Sequence, residues 1–192
     1  MGILKLAIAI PTCKKHLERE LAIRCTWGKN SFIPVYFYDE EPSDYPHLPE
    51  KVIWMFAQLM DYDFVFKTDT DTYVSIPRLL SSGFEKHDYS GFTREEWNPT
   101  YCYGPGYWVS KKAIQILATE DWQRFNHPTY PDCEDVMVGM VLAAHGIIAH
   151  HDDRYSHFTP VLKENDRIIQ HLSSRRQFKI DDIYEAHRNY GG

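Results

Sequence analysis

The stretch Phe64-Val65-Phe66-Lys67-Thr68-Asp69-Thr70-Asp71-Thr72-Tyr73-Val74 limits the possible folds most, because an apolar run of β-forming residues stops there at two carboxylates one residue apart. Side chains alternate along a strand, so Asp69 and Asp71 share a side if the strand continues and converge if it breaks into a turn. Both arrangements hold two negative charges close together. Such a pair is costly unless a cation or a donor-rich ligand neutralises it, and a hard divalent metal is a natural third party. A strand end dressed with two solvated aspartates fits the same spacing, since Asp-x-Asp is short and common.

Upstream, residues 4–10 read as a buried strand that stops at Pro11-Thr12, and residues 15–26 carry Leu17, Leu21 and Cys25 at helical spacing. Residues 32–38 form a second strand, aromatic and β-branched, closed by an acidic, Pro-rich loop over 39–49. Residues 50–60 place Val52, Ile53, Phe56, Leu59 and Met60 at helical spacing and lead into the Phe64 strand. This β-α-β-α-β order predicts an α/β fold with a mostly parallel sheet flanked by helices. Open sheets of that kind bind ligands beyond the carboxyl ends of their strands, so Pro11-Thr12 and Asp69-Thr70-Asp71 are expected to share one crevice.

Downstream, a short helix is expected from Pro77 to Gly83 and a strand over 89–92. Tyr101–Ser110 is rich in glycine and aromatic residues ahead of a helix over 111–117. Its glycines would let backbone approach a ligand closely, although a plain turn before the helix is the simpler reading. Residues 120–133, with Pro128 and Pro131, read as a long polar surface or lid segment. Glu134-Asp135-Val136 opens a helix in which Val136, Met140, Val141 and Ala144 recur at helical spacing. Carboxylates in a first helical turn are stabilised by the macrodipole, and the same field favours an ionised Asp135. A strand over 147–150, a His-rich loop, a short apolar approach to His171 and a helix over 180–190 complete the chain. With no repeat or linker, 192 residues predict one domain.

Thirteen Tyr and five Trp supply rings with polar tips, which suit sugar and nucleobase faces and also fill cores. A net charge of -6, with no basic run to release counterions, argues against a general nucleic-acid binder, so any anionic ligand must be held locally. Cys13, Cys25, Cys102 and Cys133 lie far apart without a Cys-x-x-Cys pair, which argues for free thiols and against structural zinc. The apolar run near Met1 is too short for a membrane span and lacks a cleavage pattern. The expectation is a soluble, cytoplasmic protein whose oligomeric state the sequence leaves open.

Taken in order, Arg24-Cys25-Thr26-Trp27, the Lys67 to Val74 stretch, Tyr101-Cys102-Tyr103-Gly104-Pro105-Gly106-Tyr107, Glu134-Asp135-Val136-Met137-Val138-Gly139 and Ile168-Ile169-Gln170-His171 span nearly the whole chain. Together they resemble glycosyltransferase family 31, the inverting β-1,3-glycosyltransferases that include the Fringe and β-1,3-galactosyltransferase groups. The resemblance implies a GT-A fold, a UDP-sugar donor, a glycan or other hydroxyl-bearing acceptor, and a divalent metal, manganese with magnesium as the alternative. By position, Asp71 corresponds to the family's metal ligand and Asp69 to the residue that contacts the ribose. Thr70 stands where the family usually has a third carboxylate. Asp135 matches the catalytic base, and His171 matches a C-terminal metal ligand, with His157 as the alternative position. Thr12, Arg24, Asp69, Thr70 and Gly106 would line the donor site, Arg24 serving either the donor or a structural ion pair. Without the anchor, stem and disulfides of animal members in these 192 residues, the expectation is a catalytic core.

Two other readings use the same residues. Asp69-Thr70-Asp71-Thr72 also fits the Asp-x-Asp-x-Thr nucleophile motif of haloacid-dehalogenase-type phosphatases, in which the first Asp attacks phosphorus. That motif normally ends the first strand of its domain, whereas two strands precede it here. A non-catalytic sugar-binding module is the other, and a full set of base and metal-ligand candidates counts against it.

Overall fold

The computed structural model describes residues 2–29, 31–39, 47–94, 99–125, 132–155, 167–172 and 178–190. Leu6–Pro11 (β1), Val35–Tyr38 (β2) and Phe64–Thr68 (β3) form one half of a six-stranded sheet, with β1 parallel to both others. Ala7, Ile8, Ala9 and Ile10 are wholly buried, as a strand covered on both faces requires. The crossovers are Leu17–Cys25 (α1) and Leu48–Ala57 (α2), the latter starting with Pro49 in its first turn, where a missing N–H costs nothing. The second strand is shorter than expected and begins only at Val35, after Pro34.

Thr72–Val74 (β4) and the short helix Ile76–Leu80 (α3) follow. Tyr89–Arg94 (β5) and Tyr101–Ser110 (β6) then extend the sheet, and Lys111–Thr119 (α4) begins at Ser110, whose Oγ accepts from the Ala113 N–H at 3.3 Å. Glu134–Ala144 (α5), His150–His151 (β7), Ile169–His171 (β8) and Ile180–Tyr190 (α6) complete the described elements. The sheet order is β2-β1-β3-β6-β5-β7, with β6 antiparallel to both neighbours and β7 parallel to β5. One apolar cluster lies under α2, α4 and α5, centred on Phe56, Val65 and Tyr107; the other packs α1 and α6 against Ile8, Phe66 and Trp108.

Tyr101–Ser110 is therefore a ten-residue central strand and not the turn its glycines suggested. Gly106 is there for packing: a Cβ on it would lie 2.6 Å from the Phe66 ring. Pro105 falls beyond the last β3 pair, Thr68 with Gly106, and opposite the register shift between Gly91 and Thr93. No ladder bond is lost to its missing N–H.

Candidate active site

β3 ends at Thr68, and the chain turns through Asp69-Thr70-Asp71, with the Thr72 N–H donating to the Asp69 carbonyl at 3.3 Å. The two aspartates thus converge by the turn route. Immediately afterwards β4 pairs antiparallel with β8, Thr72 opposite His171, and the Leu172 N–H donates to the Asp71 carbonyl at 2.9 Å. This two-stranded ladder carries His171 across nearly a hundred residues of sequence to the same spot. Asp69, Asp71 and His171 each present a ligand atom, all within 4.8 Å of one another, and His171 Nε2 lies 3.3 Å from Asp71 Oδ1. Two carboxylates with one imidazole suit manganese, so the residues present fit a divalent metal.

The rim opens onto a cleft of about 260 Å³ bounded by Thr12, His16, Arg19, Lys51, Thr70 and His171. It lies past the carboxyl ends of β1 and β3. Arg19 Nη1 is 3.8 Å from Asp71 Oδ2 and donates to Thr70 Oγ1 at 3.4 Å. Lys51 is buried and donates to the Thr12 carbonyl at 2.7 Å, while Thr12 Oγ1 is buried without a hydrogen-bond partner among the described residues.

Beneath the rim, Lys67 is the one charged side chain on β3, and burial forces it to find partners. Its Nζ donates to Asp69 Oδ1 at 2.8 Å, to the Gly104 carbonyl at 2.9 Å and to Glu134 Oε1. Burial alone would lower the Lys67 ammonium, but Asp69 and Glu134 overcome it and hold it above its ordinary value. Glu134 also accepts from the Tyr107 hydroxyl at 3.0 Å. Burial, reinforced by the charges of Asp135 and Asp69 and opposed by Lys67, pushes Glu134 up to about 7.

Asp135 faces the other side of this knot. Its Oδ2 accepts from the Gly104 N–H at 3.0 Å and its Oδ1 from its neighbour Val136 N–H at 2.9 Å. A Cβ on residue 104 would sit 3.4 Å from Asp135 Oδ2, so the small residue lets strand backbone approach the carboxylate. Burial raises the Asp135 carboxyl, against Lys67 and the two N–H donors, so the helix-terminal field expected to favour its ionised form is opposed by desolvation. Tyr103 lies within reach of both Asp135 and the rim carboxylates. Its ring meets His171 edge-on at 6.4 Å, and its hydroxyl is raised by burial and by the charges of Asp135, Asp69 and Asp71, against Arg94.

The structure thus brings Asp69, Thr70, Asp71, His171 and Thr12 to one cleft, with Asp135 joined to Asp69 through Gly104 and Lys67. It does not bring Arg24 there. Arg24 lies over the Phe37 ring and pairs with Glu20 at 2.8 Å, a structural partner of the kind the sequence left open. Gly106 is packed against Phe66, and Gly104 is the glycine whose backbone reaches the acidic residues. His157 and part of the 120–133 segment lie outside the described residues. Arg19, Lys67 and Glu134 were not singled out as functional from sequence. A lysine inside a buried run was the available signal for the last two; Arg19 carried none.

No family model matches the chain, and no curated protein does. Solved structures do. A glycosyltransferase involved in glycosylation of the major capsid of PBCV-1 aligns with a TM-score of 0.55 at 13% identity, covering 96% of this chain and 98% of that one. Mouse xyloside xylosyltransferase 1 aligns at 0.52 and 8% identity, covering 92% and 99%. GlyE, a glycosyltransferase of Streptococcus pneumoniae, aligns at 0.59 and 10% identity, covering 95% of this chain and 60% of that one. Identities this low establish the fold alone. The chain has the GT-A fold, a mostly parallel sheet flanked by helices.

Proposed function

We propose that this chain is a metal-dependent inverting glycosyltransferase, which moves a hexose or N-acetylhexosamine from a UDP-sugar to an acceptor hydroxyl and forms a β-1,3 linkage. The observation that carries the reading is the convergence of Asp69, Asp71 and His171 within 4.8 Å at the carboxyl end of β3 on a GT-A fold. The family 31 motifs support the inverting and β-1,3 assignments. The metal held by these three residues would act as a Lewis acid and offset the charge that develops on the departing diphosphate.

The chain's own groups supply the remaining steps. Asp135 takes the proton of the acceptor hydroxyl as that oxygen bonds to the anomeric carbon, on the face opposite the breaking bond to UDP. Both its oxygens are fixed by backbone N–H groups, which aims the carboxylate and leaves further lone pairs for the proton. Its raised pKa makes it a stronger base than a solvated aspartate. Arg19 and Lys51 place two cations on the cleft wall, where a diphosphate would need them. The glycosyltransferase neighbours do not favour the phosphatase reading.

Calorimetry of UDP binding tests the proposal, run with manganese, then with chelator, then on Asp71→Ala and His171→Ala. Binding that requires the metal and is lost in both variants is the expected result. Absence of UDP binding under either condition would overturn it. A screen of UDP-sugars for transfer, with the anomeric configuration of the product read by NMR, then fixes the donor and the stereochemistry.

A further inference from the structure

At the far edge of the sheet β5 and β7 run parallel, with Ser90 paired to His150. A cavity of about 200 Å³ lies there against the two single-turn helices Phe84–Lys86 and Asp153–Tyr155. The imidazoles of His87 and His150 line it face to face, with centroids 3.4 Å apart and planes 8° from parallel. Lys86 folds back over the wall, its Nζ 3.6 Å from where a Cβ on Gly83 would sit. Ser90 is 3% exposed, and its Oγ has no hydrogen-bond partner among the described residues.

Asp152 also lines this cavity, but it is bound by Arg154 through Nε at 2.9 Å and Nη2 at 2.6 Å. Lys86, two imidazoles and a buried hydroxyl therefore face the space, and all of them can donate. Burial lowers the His87 pKa, helped by His150 and Lys86 and opposed by Asp152 and Glu85. A cavity of about 200 Å³ has room for a tetrahedral anion. We propose that this cavity binds a phosphate group, free or carried on a larger molecule. The site is independent of the cleft and of the transferase reading.

The test is calorimetric titration of the whole chain with inorganic phosphate and with glucose 6-phosphate, repeated on Lys86→Met, His87→Phe and Ser90→Ala. Lys86 is exposed, so its variant separates lost binding from lost folding. The expected result is saturable binding in the millimolar range or tighter, weakened by about tenfold or more in Lys86→Met and His87→Phe. Tighter binding of the sugar phosphate that fails in the same variants would mean that the carrier is recognised too, and equal binding that the phosphate alone is. No saturable binding to the folded wild-type chain, or binding untouched by all three substitutions, would overturn the proposal. Metal-dependent UDP binding measured on the same variants stays unchanged in either case, so this site and the transferase reading can fail separately.

Discussion

At the rim of the cleft the side chains of Asp69 and Asp71 are 30% and 16% exposed, while directly beneath them Lys67 and Glu134 are 1% and 4% exposed. Both layers are built from charged side chains, and the physics differs. Rim carboxylates are in partial contact with solvent, where an incoming cation or ligand can replace water at less cost than on the floor. The floor has one ammonium shared among carboxylates in a dry setting, where each charge depends on its partners. A site that must take up and release a ligand needs the first arrangement, and holding that site in shape needs the second. Lys67 joins them, since it grips Asp69 above and Glu134 and the Gly104 carbonyl below.

Asp135 lies on the boundary, and the largest effect is expected there. Asp135→Asn keeps the shape and one of the two backbone hydrogen bonds but removes the base, so transfer should fall by about 10²–10⁴-fold while metal-dependent UDP binding persists. Single-turnover assays beside calorimetry check this. Loss of UDP binding in that variant would move Asp135 from the chemistry into the donor site.

The floor should respond in stability. Lys67→Met strands Glu134 and one oxygen of Asp69 without a cation, and breaking a buried pair from one side costs about 3–5 kcal/mol. Chemical denaturation measures it. The double variant Lys67→Met/Glu134→Leu should recover much of that loss, because no carboxylate then remains buried opposite the missing ammonium. If the single variant is as stable as the parent, the floor is wetter than its burial implies.

A smaller effect comes from pH. Glu134 has a folded pKa near 7, above its ordinary value of 4.5. Between those values the unfolded chain has released the proton that the folded chain still binds, so the native state binds more protons and stability falls as pH rises through the window. One proton sets a ceiling of about 1.4 kcal/mol per pH unit on the slope. The difference in slope between the parent and Glu134→Gln isolates this residue, and identical slopes would remove Glu134 as its source.

Much of this contrast was legible in sequence where the signal was local. The strand from Phe64 into Asp69-Thr70-Asp71 and the first β-α-β-α-β units follow from periodicity and from where apolar runs stop. What escaped was set by contacts distant in sequence. Tyr101–Ser110 looked like a turn because Gly104, Pro105 and Gly106 are turn residues by composition, yet Gly106 answers to the Phe66 ring and Pro105 to a gap in the ladder. The β4-β8 ladder that delivers His171 has three-residue strands, too short for a periodic pattern, so only the family motif pointed to that histidine.

The two arginines of α1 repeat the comparison at its smallest scale. They are five residues apart, and only Arg19 lines the cleft. Arg24 makes an exposed i,i+4 pair with Glu20, which is worth about 0.3–0.5 kcal/mol, so Arg24→Ala should shift the unfolding midpoint barely and leave UDP binding alone. Arg19→Ala should weaken UDP binding more than it lowers stability, because its side chain lines the cleft and its Nη1 lies 3.8 Å from Asp71. Calorimetry and denaturation on the two variants separate the roles. A loss of UDP affinity in Arg24→Ala as large as in Arg19→Ala would mean that α1 moves when donor binds, bringing its last turn to a cleft that only its first turn lines here.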